Sequence, residues 1–316
     1  MKRIISLIIG LGILVIIYTR IDFSAIADVF ENSSLIWLTT GLLMVVPITL
    51  ITAFRLQLLI PDKQKLDFWE ANKLILSASS LNMILPSKAG DFAKAYFMSD
   101  QGYMNRSLAL SLVIFEKTCD LMSLLVWCAF GLLLYPTKDS LFWVLTTCVV
   151  GGLLLGIVIL GSRKFFHRAI VFMRHITPGK IAPKLTSLET SWGEMHTFFW
   201  TDHRNLFKIS IVSVFLWFVH LLQIWIFILA INAFAPFIVS LALSSLAILI
   251  GLVPLTFAGI GTRDAALIAF YHPYFSAASG AALGLLCTTR YLMPAISGLP
   301  FLSKYMASIK IFGRSK

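Results

Sequence analysis

Long apolar runs set the strongest limit on what this chain can fold into. A helix needs roughly 18 apolar residues to cross a bilayer. Six runs approach or pass that length, and they cover residues 4–19, 35–58, 107–135, 141–161, 209–231 and 279–301. Only 13% of the 316 residues are charged, whereas a soluble globular protein carries about 25%. This pattern predicts an all-α polytopic membrane protein with six full spans.

The positive charges lie mainly between and after these runs. The net charge is +11, and eight of the basic residues fall in the loop 162–208: Arg163, Lys164, Arg168, Arg174, Lys180, Lys184, Arg204 and Lys208. The tail carries Lys304, Lys310, Arg314 and Lys316. By the positive-inside rule, this loop and both termini are cytoplasmic. We therefore interpret the charge as a topology signal and an attraction to anionic lipid, with no nucleic-acid partner.

Two further apolar segments, 69–98 and 238–275, are interrupted by proline, glycine and charge. Because six spans return the chain to its starting side, each segment must enter and leave the membrane on the same side or contribute two short crossings. We predict two re-entrant helical hairpins, the first open to the cytoplasm and the second to the outside. Opposed interrupted segments in two halves of a chain indicate a transporter's substrate site. The single transmembrane domain 1–316 would comprise an N-terminal half, 1–161, the basic loop 162–208 and a C-terminal half, 209–316.

The two interruptions share an order of residue types: proline, small residues, glycine and then opposite charges. We interpret Pro86 and Gly90 as structural turn residues in the first, and Gly259 and Gly261 in the second. The charges that follow are Lys88, Asp91 and Lys94 in the first interruption and Arg263 and Asp264 in the second. Either an inverted repeat or chance could produce this similarity.

The run 107–135 contains Glu116, Lys117 and Asp120. Residues three and four apart share a helix face, so this spacing predicts one charged cluster facing protein or water rather than lipid. The cluster is either a structural ion pair between helices or part of a polar path. Arg290 lies in the middle of the last run, where Glu116, Asp120 or Asp264 could partner it. Arg55 ends the second run, and we expect it to reach the cytoplasmic interface.

The basic loop also contains an apolar stripe at helical spacing: Leu185, Leu188, Trp192, Met195 and Phe199. It predicts an interfacial amphipathic helix, with packing on another loop as the alternative. The four cysteines lie within apolar runs without metal-ligand spacing. No ATP-binding or hydrolase motif occurs, so we expect neither cofactor nor metal.

Three blocks resemble one membrane family when taken in order. They read LNMILPSKAGDFAKAYFM, LVIFEKTCDLMSLLV and LVPLTFAGIGTRDAALIAF. Together they are similar to the lysylphosphatidylglycerol synthase transmembrane, or flippase-like, family. The matching positions are Pro86, Gly90, Asp91 and Lys94, then Glu116, Lys117 and Asp120, then Gly259, Gly261, Arg263 and Asp264. Lys replaces the family's usual Arg twice and Asp its usual Glu twice, and Phe257-Ala258 stands where Pro-Gly is commoner. Lysine keeps the positive charge but lacks the bidentate geometry of arginine.

The resemblance implies translocation of an anionic phospholipid or polyprenyl-phosphate-linked substrate across a bacterial or archaeal plasma membrane. We expect Lys88, Lys94 and Arg263 to contact phosphate. The four carboxylates Asp91, Glu116, Asp120 and Asp264 would balance those cations and Arg290. The chain ends soon after its last run, so we expect a stand-alone member that transfers no lysine from tRNA. The alternative is a membrane-embedded enzyme or an accessory subunit of an envelope lipid or glycan pathway, and a homodimer or envelope-biosynthesis partner is consistent with either.

Overall fold

The structure, a computed structural model, describes residues 23–61, 66–83, 90–135, 137–176, 182–253 and 261–313. All regular structure in these ranges is α-helical. The helices are α1 (Phe23–Glu31), α2 (Leu35–Leu43), α3 (Val45–Leu59), α4 (Phe68–Asn82), α5 (Gly90–Asp100), α6 (Arg106–Leu133), α7 (Ser140–Gly161), α8 (Arg163–Ile176), α9 (Ala182–Thr201), α10 (His203–Ala230), α11 (Phe237–Gly251), α12 (Thr262–Tyr271) and α13 (Ala277–Gly313).

Local sequence explains where several helices begin and end. The side chains of Asn105, Asp139 and Asp202 cap α6, α7 and α10, each accepting a hydrogen bond of 2.8–3.0 Å from a backbone N–H three residues later. Such caps satisfy N–H groups that the helix itself leaves without partners. The apolar run 35–58 forms two helices rather than one, with α2 ending at Leu43. Leu43 lies four residues before Pro47. A proline has no N–H to donate to the carbonyl four residues earlier, and its ring clashes with that carbonyl.

Within the described residues, three stretches are long and apolar enough to cross a membrane: Leu35–Leu59, Ser140–Gly161 and His203–Ala230. In the most apolar of them, α7, an 18-residue window has a mean hydropathy of 2.5, and only 17% of that window is buried within the protein. An apolar helix that leaves most of its surface uncovered is suited to lipid rather than to water. These features confirm an all-α polytopic membrane protein. The first apolar run, 4–19, lies outside the described residues.

Each interrupted segment contains two helices that pack against each other. The first contributes α4 and α5, and the second contributes α11 and α12. The proposed turn residues Pro86 and Gly259, and Lys88, lie outside the described ranges. The path of each segment through the membrane, and the division into halves, stay predictions.

The two helix pairs belong to two separate apolar cores. Helices α4 and α5 pack with α3, α9 and the first half of α6. Helices α11 and α12 pack with α10, α13 and the second half of α6. Helix α6 therefore joins both cores along its length, and α13 crosses from α12 to α4.

The apolar stripe predicted for the basic loop faces protein. It lies on α9, where Trp192, Met195 and Phe199 are buried. Phe199 stacks on Phe115 of α6 with ring centroids 3.9 Å apart. At these three positions the stripe packs on protein, where Phe115 of α6 and Phe166 of α8 provide an aromatic face for it. The location of α9 at the membrane surface stays a prediction. In the basic loop, a large apolar side chain is instead uncovered on α8, where Phe172 is 67% exposed.

Candidate functional site

A cavity of about 220 Å³ lies between α3, α4, α5, α6, α10 and α13. One part of its lining is apolar, including Val45, Ile48, Leu216 and Pro294. Another part is charged, with Arg55, Asp91, Lys94, Glu116, Lys117, Asp120 and Arg290. Pockets that enclose a drug-sized ligand measure about 300–1,000 Å³. The cavity thus has room for a polar headgroup but not for a whole lipid.

Glu116 is the centre of the charged wall. Its side chain is 1% exposed and accepts hydrogen bonds from two cations on other helices. The Lys94 ammonium of α5 lies 2.8 and 2.6 Å from its two carboxylate oxygens. The Arg55 guanidinium of α3 donates to Oε1 at 3.2 Å. One carboxylate of α6 therefore holds α3 and α5 together at the cavity.

Asp120 and Lys117 extend this network by one turn of α6. Arg55 also donates to Asp120 Oδ1. Lys117 lies 3.2 Å from Asp120 Oδ2 and 2.6 Å from Asp91 Oδ2 on α5. The Asn82 side-chain amide of α4 donates to the second oxygen of Asp91 at 3.1 Å.

The network is electrically balanced, with three cations (Arg55, Lys94 and Lys117) and three carboxylates (Asp91, Glu116 and Asp120). Buried charges are tolerated when each has an opposite charge and hydrogen bonds to satisfy it. Four helices supply these residues and Asn82. The network can therefore stay within an apolar bundle when the cavity is empty.

Arg290 lines another part of the same cavity and has different surroundings. It is 5% exposed, and its guanidinium donates to the Tyr291 hydroxyl at 2.9 Å and to Gln223 Oε1 and the His220 carbonyl at 3.5 Å. No carboxylate of the described residues lies within ion-pair distance of it. The expectation that Glu116, Asp120 or Asp264 partners Arg290 is therefore wrong. Glu116 and Asp120 already bond to Arg55, and Asp264 bonds to Arg263.

Arg263 and Asp264 form a separate ion pair at the start of α12. Arg263 Nη2 lies 2.6 Å from Asp264 Oδ1, and it also donates to the Gly284 carbonyl and the Thr288 hydroxyl of α13. Asp264 Oδ2 accepts from the backbone N–H of Gly261 at 3.0 Å. Both side chains are buried and neither lines the cavity. In this conformation the pair joins α12 to α13.

Two of the four predicted turn residues are described, and both have a steric reason to be glycine. Gly261 begins α12 with φ of 100°, a left-handed conformation that a side chain strains. A Cβ on Gly90 would lie 2.6 Å from both the Ala78 carbonyl oxygen and the Asn82 nitrogen. Only glycine allows α5 to approach α4 so closely.

Residues 3–298 match the model of the family described as the lysylphosphatidylglycerol synthase TM region. The chain belongs to this family. No match was found among curated proteins or solved structures. Membership confirms the resemblance carried by the three charged blocks. The family is a membrane family, often linked to lipid or envelope pathways.

The structure brings together five of the predicted site residues, Asp91, Lys94, Glu116, Lys117 and Asp120, and places Arg290 on the same cavity. It keeps Arg263 and Asp264 apart from them. Arg55 was expected at the cytoplasmic interface, but its side chain is 1% exposed and belongs to the network. The available signal was a surplus of acid on α6, because Lys117 alone cannot balance both Glu116 and Asp120.

Within the described ranges no group of three or more His, Cys, Asp or Glu side chains could hold a metal ion. The chemistry of this site is instead that of paired charges beside an apolar wall. Such a surface offers donors and acceptors to a zwitterionic or anionic headgroup, and the apolar wall accommodates what is attached to it.

Proposed function

We propose that this protein moves an anionic lipid, either a phospholipid or a polyprenyl-phosphate-linked substrate, between the two leaflets of a membrane. The headgroup would pass along the charged wall of the cavity while the tails stay among lipid. One observation carries the proposal: a headgroup-sized cavity lined by both charged and apolar side chains inside a bundle of membrane-family helices. Moving a bare headgroup through hydrocarbon is costly because its charges lose water without gaining partners.

The balanced network supports this role because it offers both signs of charge without needing a ligand for stability. A phosphate can meet the cations Lys94 and Lys117, and an amine or hydroxyl can meet the carboxylates. The exchange of one partner for another keeps every charge paired during passage. We therefore expect the network to bind headgroups weakly enough to release them on either side.

The same contacts favour transport over catalysis. A general base needs a carboxylate oxygen that can take a proton. In the network, each carboxylate oxygen of Asp91, Glu116 and Asp120 already accepts from a cation or from Asn82. We propose that these acids hold cations in place rather than remove protons from a substrate. The membrane-embedded enzyme is the second candidate, and it predicts a product formed by the purified protein.

We place the protein in a bacterial or archaeal plasma membrane with both termini in the cytoplasm, as the positive-inside rule predicts. The sequence has no nucleotide-binding motif. We propose that a lipid gradient or an ion gradient drives the movement. A homodimer or an envelope-biosynthesis partner remains part of this proposal.

Reconstitution tests the proposed function. Purified protein is placed in vesicles that contain a trace of phosphatidylglycerol labelled on one acyl chain, and a membrane-impermeant reductant then bleaches the outer leaflet. Flipping makes the label of the inner leaflet accessible, so the bleached fraction rises above that of protein-free vesicles. Labelled phosphatidylcholine and a labelled polyprenyl phosphate show which headgroup is accepted. Bleaching at the protein-free level for all three lipids would contradict the proposal.

A further inference from the structure

Among the buried cations of the described residues, Arg290 differs from the others in the groups that its side chain contacts. Arg55, Lys94 and Arg263 each contact at least one carboxylate, as does the partly exposed Lys117. Arg290 contacts only neutral groups, and its Nε, although buried, has no hydrogen-bond partner among the described residues. A guanidinium that is buried without an opposite charge is expensive unless an anion joins it.

Neighbouring residues hold the Arg290 side chain at the cavity. Its guanidinium lies 4.9 Å from the centroid of the Tyr291 ring, within the range of a cation–π contact. Gln223 presents its side-chain oxygen to Arg290 because its amide nitrogen donates to the Gly41 carbonyl at 2.8 Å. The contacts of Gln223 and Tyr291 therefore orient the arginine without neutralising it.

The charges around the cavity add up to one uncompensated cation. The six-residue network on α3, α5 and α6 sums to zero, and Arg290 adds +1 on α13. We propose that Arg290 is an oxyanion-binding site that takes a phosphate mono- or diester oxygen from a ligand in this cavity. Its planar guanidinium presents a fork of donors that suits phosphate. This inference deepens the proposed function. It rests on that function only in taking a lipid as the source of the phosphate.

This assignment moves the principal phosphate contact away from the residues that the sequence favoured. Lys94 is held by both oxygens of Glu116, and Arg263 is held by Asp264 and three groups of α13. A ligand would have to displace a carboxylate from either of them. Binding at Arg290 displaces no charge.

Binding can be measured as the rise in unfolding temperature of the full-length protein in detergent during titration with a probe. One probe is dioleoyl phosphatidylglycerol in mixed micelles, with phosphatidylcholine as its reference, and the other is inorganic phosphate. We expect Arg290→Met to weaken binding of the stabilising anion by about 10- to 100-fold, the usual effect of one charge-assisted hydrogen bond. Arg106→Met removes an exposed arginine outside the cavity and should bind the anion like the native protein.

Gln223→Glu tests the site without removing the arginine. It places a carboxylate beside Arg290, so anion binding should fall as it does in Arg290→Met. Gln223→Met is the comparison variant, because it loses the same bond to Gly41 but adds no charge. It also loses the oxygen that orients Arg290, so its affinity for the anion should fall, but much less than that of Gln223→Glu. This pair also covers the case in which Arg290→Met does not fold.

Each outcome bears on the site and on the function separately. Protection by phosphatidylglycerol that depends on Arg290 supports both. Protection by inorganic phosphate alone, lost in Gln223→Glu, supports the oxyanion site but contradicts lipid as its source. Unchanged anion binding in Gln223→Glu, equal losses in Arg106→Met, or no saturable binding by the native protein would overturn the site.

Discussion

The two interrupted segments have similar residue types but use their charges in different ways. On α5, Asp91 and Lys94 bond to residues of α6 and line the cavity. On α12, Arg263 and Asp264 bond to each other and to groups of α12 and α13, away from the cavity. The first pair of helices therefore presents its charged side chains to the cavity, whereas the second pair keeps its charged side chains buried between helices.

Spacing along each helix explains part of this difference. Arg263 and Asp264 are adjacent, and the Asp264 side chain turns back to cap its own helix at Gly261. Arg263 therefore finds its carboxylate partner on its own helix, α12. Asp91 and Lys94 are three residues apart on one face, where both meet the charges of α6. A similar motif can thus form either a self-contained pair or one wall of a shared network.

Glu116→Gln should have the largest effect on this comparison. It leaves three cations facing two carboxylates in the buried network, and breaking a buried pair costs about 3–5 kcal/mol. We expect a marked fall in the unfolding temperature of the detergent-purified protein and loss of lipid exchange. Lys94→Met combined with Glu116→Gln restores equal numbers of charges, so it should recover most of the stability.

The matched control is Glu70→Gln, because Glu70 pairs with Lys73 outside the cavity and is 28% exposed. An ion pair this accessible to solvent contributes at most about 1 kcal/mol, and a glutamine oxygen can still accept from the Tyr305 hydroxyl as Glu70 does. Equal destabilisation by Glu70→Gln and Glu116→Gln would show that the burial of Glu116 does not increase the cost of removing its charge.

Asp264→Asn should affect stability while sparing the cavity. Arg263 keeps the Gly284 carbonyl and the Thr288 hydroxyl but loses its buried carboxylate, so we expect a loss of about 3 kcal/mol, the lower end of the cost of breaking a buried ion pair. Anion binding at the cavity should be unchanged. A variant that keeps its unfolding temperature but loses lipid exchange would place this pair on the transport path and remove the contrast with Asp91 and Lys94.

The sequence predicted the fold class and much of the network, for reasons that are local. Helical spacing alone places Glu116, Lys117 and Asp120 together, and apolar length alone predicts the runs that became α7 and α10. The role of Arg55 depends on a contact with a residue 61 positions away, and nothing beside Arg55 in sequence announces it. The burial of the α9 stripe likewise depends on Phe115 of another helix, so periodicity revealed the face but not what covers it.

Substitution of the close-packed glycines should distinguish the two helix pairs by their geometry. A Cβ at Gly90 would meet backbone atoms of α4, whereas a Cβ at Gly251 would lie 2.7 Å from Arg263 Cβ on α12. Overpacking costs about 1–3 kcal/mol, and Gly90→Ala should be the more severe because its Cβ would lie within 2.7 Å of three atoms, whereas a Cβ at Gly251 would lie that close to one. Gly151→Ala on α7, where a Cβ meets nothing within 4 Å, should leave the unfolding temperature unchanged or higher. The same loss at all three positions would argue against close packing as the cause.

Thr288→Val should have the smallest effect and tests where the two regions meet. Thr288 lines the cavity, yet its hydroxyl accepts from Arg263 Nη2 at 2.8 Å and donates to the Gly284 carbonyl at 3.2 Å. Valine has a similar shape, and Arg263 Nη2 keeps its bonds to Asp264 and Gly284, so we expect a loss of only about 1 kcal/mol. The unfolding temperature and the rate of lipid exchange are measured on the same preparation, so that an effect on stability can be told from an effect on transport. Lipid exchange at the native rate would keep the Arg263–Asp264 pair outside the path, whereas a large fall without loss of stability would show that the cavity and the pair act through this hydroxyl.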